Sequence, residues 1–246
     1  MKVLGIDIGC TSIKHGIVDL DQGIEVNDFD MIFISQNSRT EKYLDALNYL
    51  VANSADVQAI GIGFPSVVRP SGILNTSIMF NDIWQEILAT TNKLNLPCWA
   101  LNDADAAGAA EVYRNDAKDL RKGVAIVITL GTGIGSAIYI DGKLLPNTEL
   151  GMLNMQGMMA EHYTAASVKT AQALTTQEWA GRLQEYLSLV ETLFTPDHIV
   201  LGGGISNEFE IYSPLLQTEA VLMPAYYRNQ AGVIGAALYA AQQKND

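Results

Sequence analysis

The sequence is short of cysteine and of positive charge, and each shortage excludes functions. Only Cys10 and Cys98 occur among 246 residues. Two thiols give no disulfide framework and no Cys-rich zinc site, and they fit a reducing compartment. Lys and Arg number 15 against 27 Asp and Glu, a net charge of −12. A chain that acidic repels a phosphate backbone and is a poor DNA or RNA binder, although a pocket can still hold one small anion. His15, His162 and His198 have no metal-ligand spacing. MKVLGIDIGC carries an acid within its apolar run, unlike a signal peptide. The longest uncharged run, residues 124–140, is short for a membrane span and is interrupted by Gly131, Gly133 and Gly135. These absences predict a cytoplasmic protein without a nucleic-acid or membrane partner.

What is present is an alternation of strands and helices. KVLGIDI, IKHGIVDL and the run around MIFIS read as strands. TEKYLDALNYLVAN has helical spacing, with Tyr43, Leu44, Leu47 and Leu50 on one side and Thr40 placed as N-cap. VQAIGIGFP and PCWAL read as strands, IWQEILATTNKL and DADAAGAAEVYR as helices. The pattern restarts at 124 with the strand VAIVITL and its hairpin partner SAIYI. Asp141-Gly142 is a turn signal toward KLLP. TQEWAGRLQEYLSLVETLF puts Trp179, Leu183, Leu187, Val190 and Phe194 on one stripe. HIVLGGGIS is a strand entering a glycine turn, and AGVIGAALYAAQQ is a closing helix. A shift of 122 residues lays Gly9 on Gly131, Val18 on Ile140 and Asp19 on Asp141. This predicts a duplicated α/β fold of two lobes with a cleft between them. The lobes are 1–103, completed by a C-terminal helix over 230–244, and 104–229.

Four segments carry candidate chemistry. In DIGCTSIK, Asp7 can hold magnesium directly or through water, the Gly9–Ser12 amides can face phosphate, and Lys14 can add a charge. Taken alone, these residues more readily read as a plain hairpin with a surface Asp. TLGTGIGS is glycine-dense but matches neither the Walker loop nor the dinucleotide fingerprint. In LNDADAAGAAE, Asn102 and Asp103 sit where a strand meets a helix. Asp105 suits the helix cap, which leaves Asp103 to take a proton from an attacking hydroxyl. IVLGGGIS ends in three glycines that flank a flat base or simply turn the chain.

In this order the segments resemble the sugar kinases of the ROK family, with their duplicated actin-like, ribonuclease H-like fold, and most closely its polyphosphate glucokinase branch. The resemblance runs through GIDIGCTSIK, GFPSVVR, ALNDADAAGAAE, VITLGTGIGSAIYIDGKLLPNTELG, EWAGRLQEYL, LFTPDHIVLGGGIS and RNQAGVIGAAL. It implies phosphoryl transfer from ATP or inorganic polyphosphate to the 6-hydroxyl of glucose or a related hexose, with Mg2+ near Asp7, by a homodimer. It implies Asp103 as catalytic base and Asn102, Glu149 and Glu161 as sugar ligands. Asp7, Gly9, Thr11 and Lys14 match the first phosphate motif, Thr132 and Gly133 the second. Gly202 and Gly203 match the turn beside the nucleotide base or its polyphosphate counterpart.

The departures fall mainly on the sugar side. Met152 stands where the branch has histidine. Met79 stands where it has asparagine, unless a loop shift brings Asn81 there. Cys10 and Ser66 replace glycines. Met155, Met158 and Met159, nearby, read as flexible packing. A thioether accepts weakly and donates nothing. A lost neutral hydrogen bond costs about 0.5–1.5 kcal/mol. Two such losses weaken glucose binding about ten- to a hundredfold. Two alternatives follow: a kinase with an altered acceptor, or a non-catalytic sugar or nucleotide sensor.

Overall fold

A computed structural model describes the chain except residues 10–11, 22–23, 35–39, 55, 70–71, 75–77 and 246, with backbone alone at 25, 40, 74, 78–81 and 245. The elements run β1 (Lys2–Ile8), β2 (Ser12–Asp19), β3 (Glu25–Phe33), α1 (Thr40–Ala52), β4 (Ala59–Phe64), β5 (Val67–Arg69), β6 (Gly72–Leu74), α2 (Ile78–Lys93), β7 (Cys98–Asn102) and α3 (Asp103–Val112). They continue as β8 (Val124–Leu130), β9 (Ile134–Ile140), β10 (Lys143–Leu145), β11 (Asn154–Met155), β12 (Met158–Met159), α4 (Ala160–Thr164), α5 (Ala166–Ala171) and α6 (Thr176–Phe194). Last come β13 (His198–Gly202), α7 (Phe209–Tyr212), β14 (Val221–Pro224) and α8 (Ala231–Asn245). Contacts divide the chain into two compact units, Met1–Ala110 with Gln230–Asp246, and Glu111–Asn229.

The first unit is built on a sheet of order β3-β2-β1-β4-β7. Strand alternation sorts β1 between two layers. Leu4, Ile6 and Ile8 meet Tyr43, Leu47 and Leu50 of α1 and Ile83 and Ile87 of α2. Val3, on the opposite face, meets Val233, Ala237 and Ala240 of α8. Burial on both faces explains the unbroken apolar runs of β1 and β4. α8 comes so close that a β-carbon at Gly5 or Gly61 would strike the carbonyl of Val233 or Ala236. Asp7 continues the Val3–Gly5 face, and a β-carbon at Gly232 in the first turn of α8 would lie 2.6 Å from its Cγ.

The third strand is longer than the sequence pattern predicts. It begins at Glu25 and includes the polar stretch before MIFIS. It pairs with β2 at the sheet edge, where main-chain hydrogen bonds hold it and Val26 and Phe29 are partly buried against the cluster of Val3 and Val233. α1 already includes Thr40 as a helical residue, and the predicted Thr40 cap falls on a side chain outside the described set.

The second unit repeats the plan in the order β10-β9-β8-β13-β14. Ile126, Ile128 and Leu130 pack with Ile199 and Leu201 and against Trp179, Leu183, Tyr186, Leu187 and Val190 of α6. Phe194, last on the predicted stripe, is partly buried against the same cluster. α6 opens with a capping box between Thr175 and Glu178. Asp141 and Gly142 turn with φ of 50° and 74°, the positive pair that a tight hairpin turn requires. One detail of the predicted repeat changes. β1 and β8 align with an offset of 122, but the pairings Lys2↔Asp19 and Val124↔Ile140 give 121 on the second strand. The turn of the second hairpin is one residue shorter, so Val18 corresponds to Tyr139 rather than to Ile140.

Candidate active site

In the first unit three parallel strands end on one edge, the side of an α/β sheet where ligands usually bind. β1 ends beside Asp7, β4 beside Gly63 and β7 at Asn102. A β-carbon at Gly63 would lie 3.5 Å from Cα of Asp103 and 3.8 Å from Oδ1 of Asp7. Asp7 and Asp103 therefore border the same spot. The helix cap is Asn102, not Asp105. Asn102 Oδ1 accepts the N–H groups of Ala104 at 2.9 Å and Asp105 at 3.1 Å, because α3 begins at Asp103 and puts those two amides in its first turn. Asn102 Nδ2 donates to the Ser66 carbonyl at 3.3 Å. Asp103 Oδ1 accepts the Ala104 N–H at 2.8 Å. Asp105 is buried, whereas Asp103 is partly exposed.

Asp7 and Lys14 face each other across β1 and β2, with Nζ to Oδ2 at 2.9 Å. The lysine is thus half-neutralised where it stands. Gly9 N–H donates to the Ser12 carbonyl at 2.8 Å and closes the turn. Cys10 and Thr11 lie outside the described residues, as does the side chain of Met79.

In the second unit the carbonyls of the glycine turn are all engaged. Gly131 O accepts the Ser167 N–H at 3.0 Å, and Gly133 O accepts the Gly131 N–H at 3.0 Å. Thr132 O accepts the Ser167 hydroxyl at 2.7 Å. Glu161 stands against this turn, since a β-carbon at Gly133 would lie 2.5 Å from its Oε2. Glu149 is held by its neighbours: Ser136 Oγ donates to Thr148 O at 2.8 Å and accepts the Leu150 N–H at 2.9 Å. Partial burial pushes the Glu149 carboxyl above the ordinary range, and the Glu161 charge adds to the rise.

Met152 is 59% exposed, in a single 3-10 turn after Glu149. Met158 and Met159 are exposed as well, on the β11–β12 ribbon; only Met155 packs into the core. The packing expected of all three holds for Met155 alone, because the two-residue ribbon is too short to cover both faces.

Gly202 and Gly203 end β13. Gly203 has φ of 82°, and a β-carbon there would strike the backbone of Leu130. The turn thus packs on the end of β8. A groove of about 550 Å³ opens beside it, lined by Gly131, Thr132, Ser167, Lys169, Gly204 and Glu208 among others. Sequence reasoning missed Ser167, Lys169 and Glu208. They lie on short helical turns without a motif, and only the fold brings them to the glycine turn.

Comparisons with known proteins bear on the family and the fold. The ROK family profile matches residues 3–161. The polyphosphate glucokinase of Mycobacterium leprae is 36% identical over 95% of this chain and 73% of its own length. Among solved structures, the inorganic polyphosphate/ATP-glucomannokinase of Arthrobacter sp. strain KM is 37% identical. It covers 98% of this chain and 99% of its own, with a TM-score of 0.86. A ROK family glucokinase from Streptomyces griseus, solved with glucose and AMPPNP, shares the fold at 22% identity and a TM-score of 0.80, covering 98% of this chain and 100% of its own. The chain belongs to the ROK family and has its actin-like α/β fold.

Proposed function

We propose that the chain is a hexokinase-type sugar kinase that phosphorylates the 6-hydroxyl of glucose or a related hexose, with inorganic polyphosphate or ATP as donor. The observation that carries this reading is the strand-to-helix junction at Asp103. A partly exposed carboxylate stands there beside Asp7, at the carboxyl ends of three parallel strands. Asp103 takes the hydroxyl proton as the sugar oxygen attacks the terminal phosphorus. The bond from phosphorus to the donor's bridging oxygen breaks, and that oxygen leaves with the electron pair as ADP or shortened polyphosphate.

The glycine turn with Thr132 and Gly133 receives the donor, and the turn at Gly202 and Gly203 shapes the wall beside it. Asn102, with one amide hydrogen beyond its bond to Ser66, orients the sugar together with Glu149 and Glu161. Gly9, Thr11 and Lys14 complete the phosphate side in this reading. Asp7 would hold a magnesium ion. Among the described residues no group of three or more His, Cys, Asp or Glu could cage a metal. So few carboxylates fit magnesium, which keeps water and donor phosphate as most of its ligands. When bound, the ion offsets charge on the transferring phosphate. No helix among the described residues is long and apolar enough to cross a membrane. The reading takes the enzyme as a cytoplasmic homodimer without a nucleic-acid partner.

Met152 favours a second reading, an acceptor other than glucose, because its thioether replaces a side chain able to donate a hydrogen bond. A panel of hexoses tested against both donors decides. Wild-type protein should turn over at least one pair, and Asp103→Ala should lower kcat by about 10²–10⁴. No turnover with any pair would remove the kinase reading.

A further inference from the structure

The donor groove holds a charge pair that the transfer itself does not use. Lys169 Nζ lies 2.7 Å from Glu208 Oε2. The lysine is only 16% exposed, the glutamate 46%. The ammonium also sits 5.5 Å from the centre of the Trp179 ring. That ring is buried and anchored, its Nε1–H donating to the Thr164 carbonyl at 2.9 Å. Lys169 is therefore held by an aromatic face on one side and a carboxylate on the other. Glu208 closes the short 3-10 segment Gly204–Glu208 that follows the glycine run. Both side chains line the groove that starts at Gly131 and Thr132.

A donor whose reacting end sits at the glycine turn lays its remainder along this groove. For a nucleoside triphosphate that remainder is a ribose with two hydroxyls and an uncharged base. For inorganic polyphosphate it is more phosphate, with about one further charge per unit. Resting on the kinase reading above, we propose that Glu208, acting with its partner Lys169, sets the choice of donor and favours a nucleoside triphosphate over inorganic polyphosphate. A ribose hydroxyl donates to Glu208 and leaves the ion pair intact. A polyphosphate chain has to draw Lys169 away and leave the carboxylate facing phosphate. The penalty falls on the polyanion alone.

The test compares kcat/KM for ATP and for polyphosphate in wild type, Glu208→Gln and Lys169→Met. Glu208→Gln keeps the shape and removes the repulsion. It should raise the polyphosphate-to-ATP ratio about tenfold, and added salt should shrink that gain. Lys169→Met should move the ratio the other way. It also serves as the second variant should Glu208→Gln fold poorly. Thermal melting of both variants checks that each folds, so that an unchanged ratio counts against the proposal. Ratios within about twofold of wild type in both variants would overturn the proposal while the kinase reading stands. A wild type that uses neither donor would overturn both.

Discussion

The two halves of the chain share a strand–turn–strand frame and fill it differently. In the first hairpin Asp7 opposes Lys14, an acid across from a base. At the matching place in the second hairpin Thr129 opposes Gly135. In the first turn, as far as it is described, the Gly9 N–H donates to the Ser12 carbonyl and the Gly9 carbonyl accepts the Tyr43 hydroxyl at 3.4 Å. The second is tied by all three of its carbonyls to protein donors. Two of the second unit's carboxylates, Glu149 and Glu161, act on each other as like charges. One scaffold has thus been given a fixed charge at one copy and a shaped backbone at the other. The position of Asp7 against the first turn of α8 adds to this contrast, because a helix N-terminus favours a carboxylate.

The largest effect that should separate the halves is at this matched pair. Asp7→Asn should lower kcat about a hundredfold, the usual scale for removing one preorganised electrostatic group. Thr129→Val, of similar size at the corresponding place, should leave kcat within about twofold. Steady-state kinetics with saturating sugar and donor make the comparison, and thermal melting checks that both variants fold. Equal losses at the two positions would mean that the halves are not divided in this way.

Much of this division can be read from the sequence, for physical reasons. The repeat is legible because both copies of the first strand are buried on two faces and so stay apolar. The hairpin at Asp141-Gly142 is legible because few residue pairs tolerate two positive φ values. Asp103 is legible from its junction, but its neighbour's task was not: Asx residues crowd that turn, and only hydrogen-bond geometry identifies Asn102 as the cap. The polar half of β3 was missed because an edge strand needs no alternation. Lys169 and Glu208 were missed for a different reason. They are far apart in sequence, and they meet through α5 and the 3-10 segment after β13, neither of which has a sequence signature.

The like-charged pair should give the second unit a pH response centred on Glu149. Glu149 is held above the usual carboxylate range, by burial first and by Glu161 second. In the kinase reading its ionised form is the one that would accept a sugar hydroxyl. Lowering the pH should therefore protonate Glu149 earlier than an ordinary glutamate and raise the KM for sugar, by up to about tenfold for one lost hydrogen bond. Glu161→Gln removes the like charge and leaves the burial. The break in KM against pH should then move to lower pH, whatever the variant does to KM itself. The same break point in both proteins would remove Glu161 as a cause.

The smallest effect belongs to Met152. Its exposure means that little packing depends on it, so a polar replacement has room and costs little stability. Met152→His restores a side chain that both donates and accepts, where a thioether does neither well. If this wall of the second unit contacts glucose, the KM for glucose should fall by a few-fold, the scale of one neutral hydrogen bond gained in a solvated place. Donor KM and kcat should stay put, because Met152 is not among the residues lining the groove proposed for the donor. An unchanged glucose KM, with a hexose of different hydroxyl pattern turned over better by wild type, would mean that the methionine is matched to another acceptor. The contrast between the halves would then extend to the substrate, with the sugar wall of the second half matched to that acceptor.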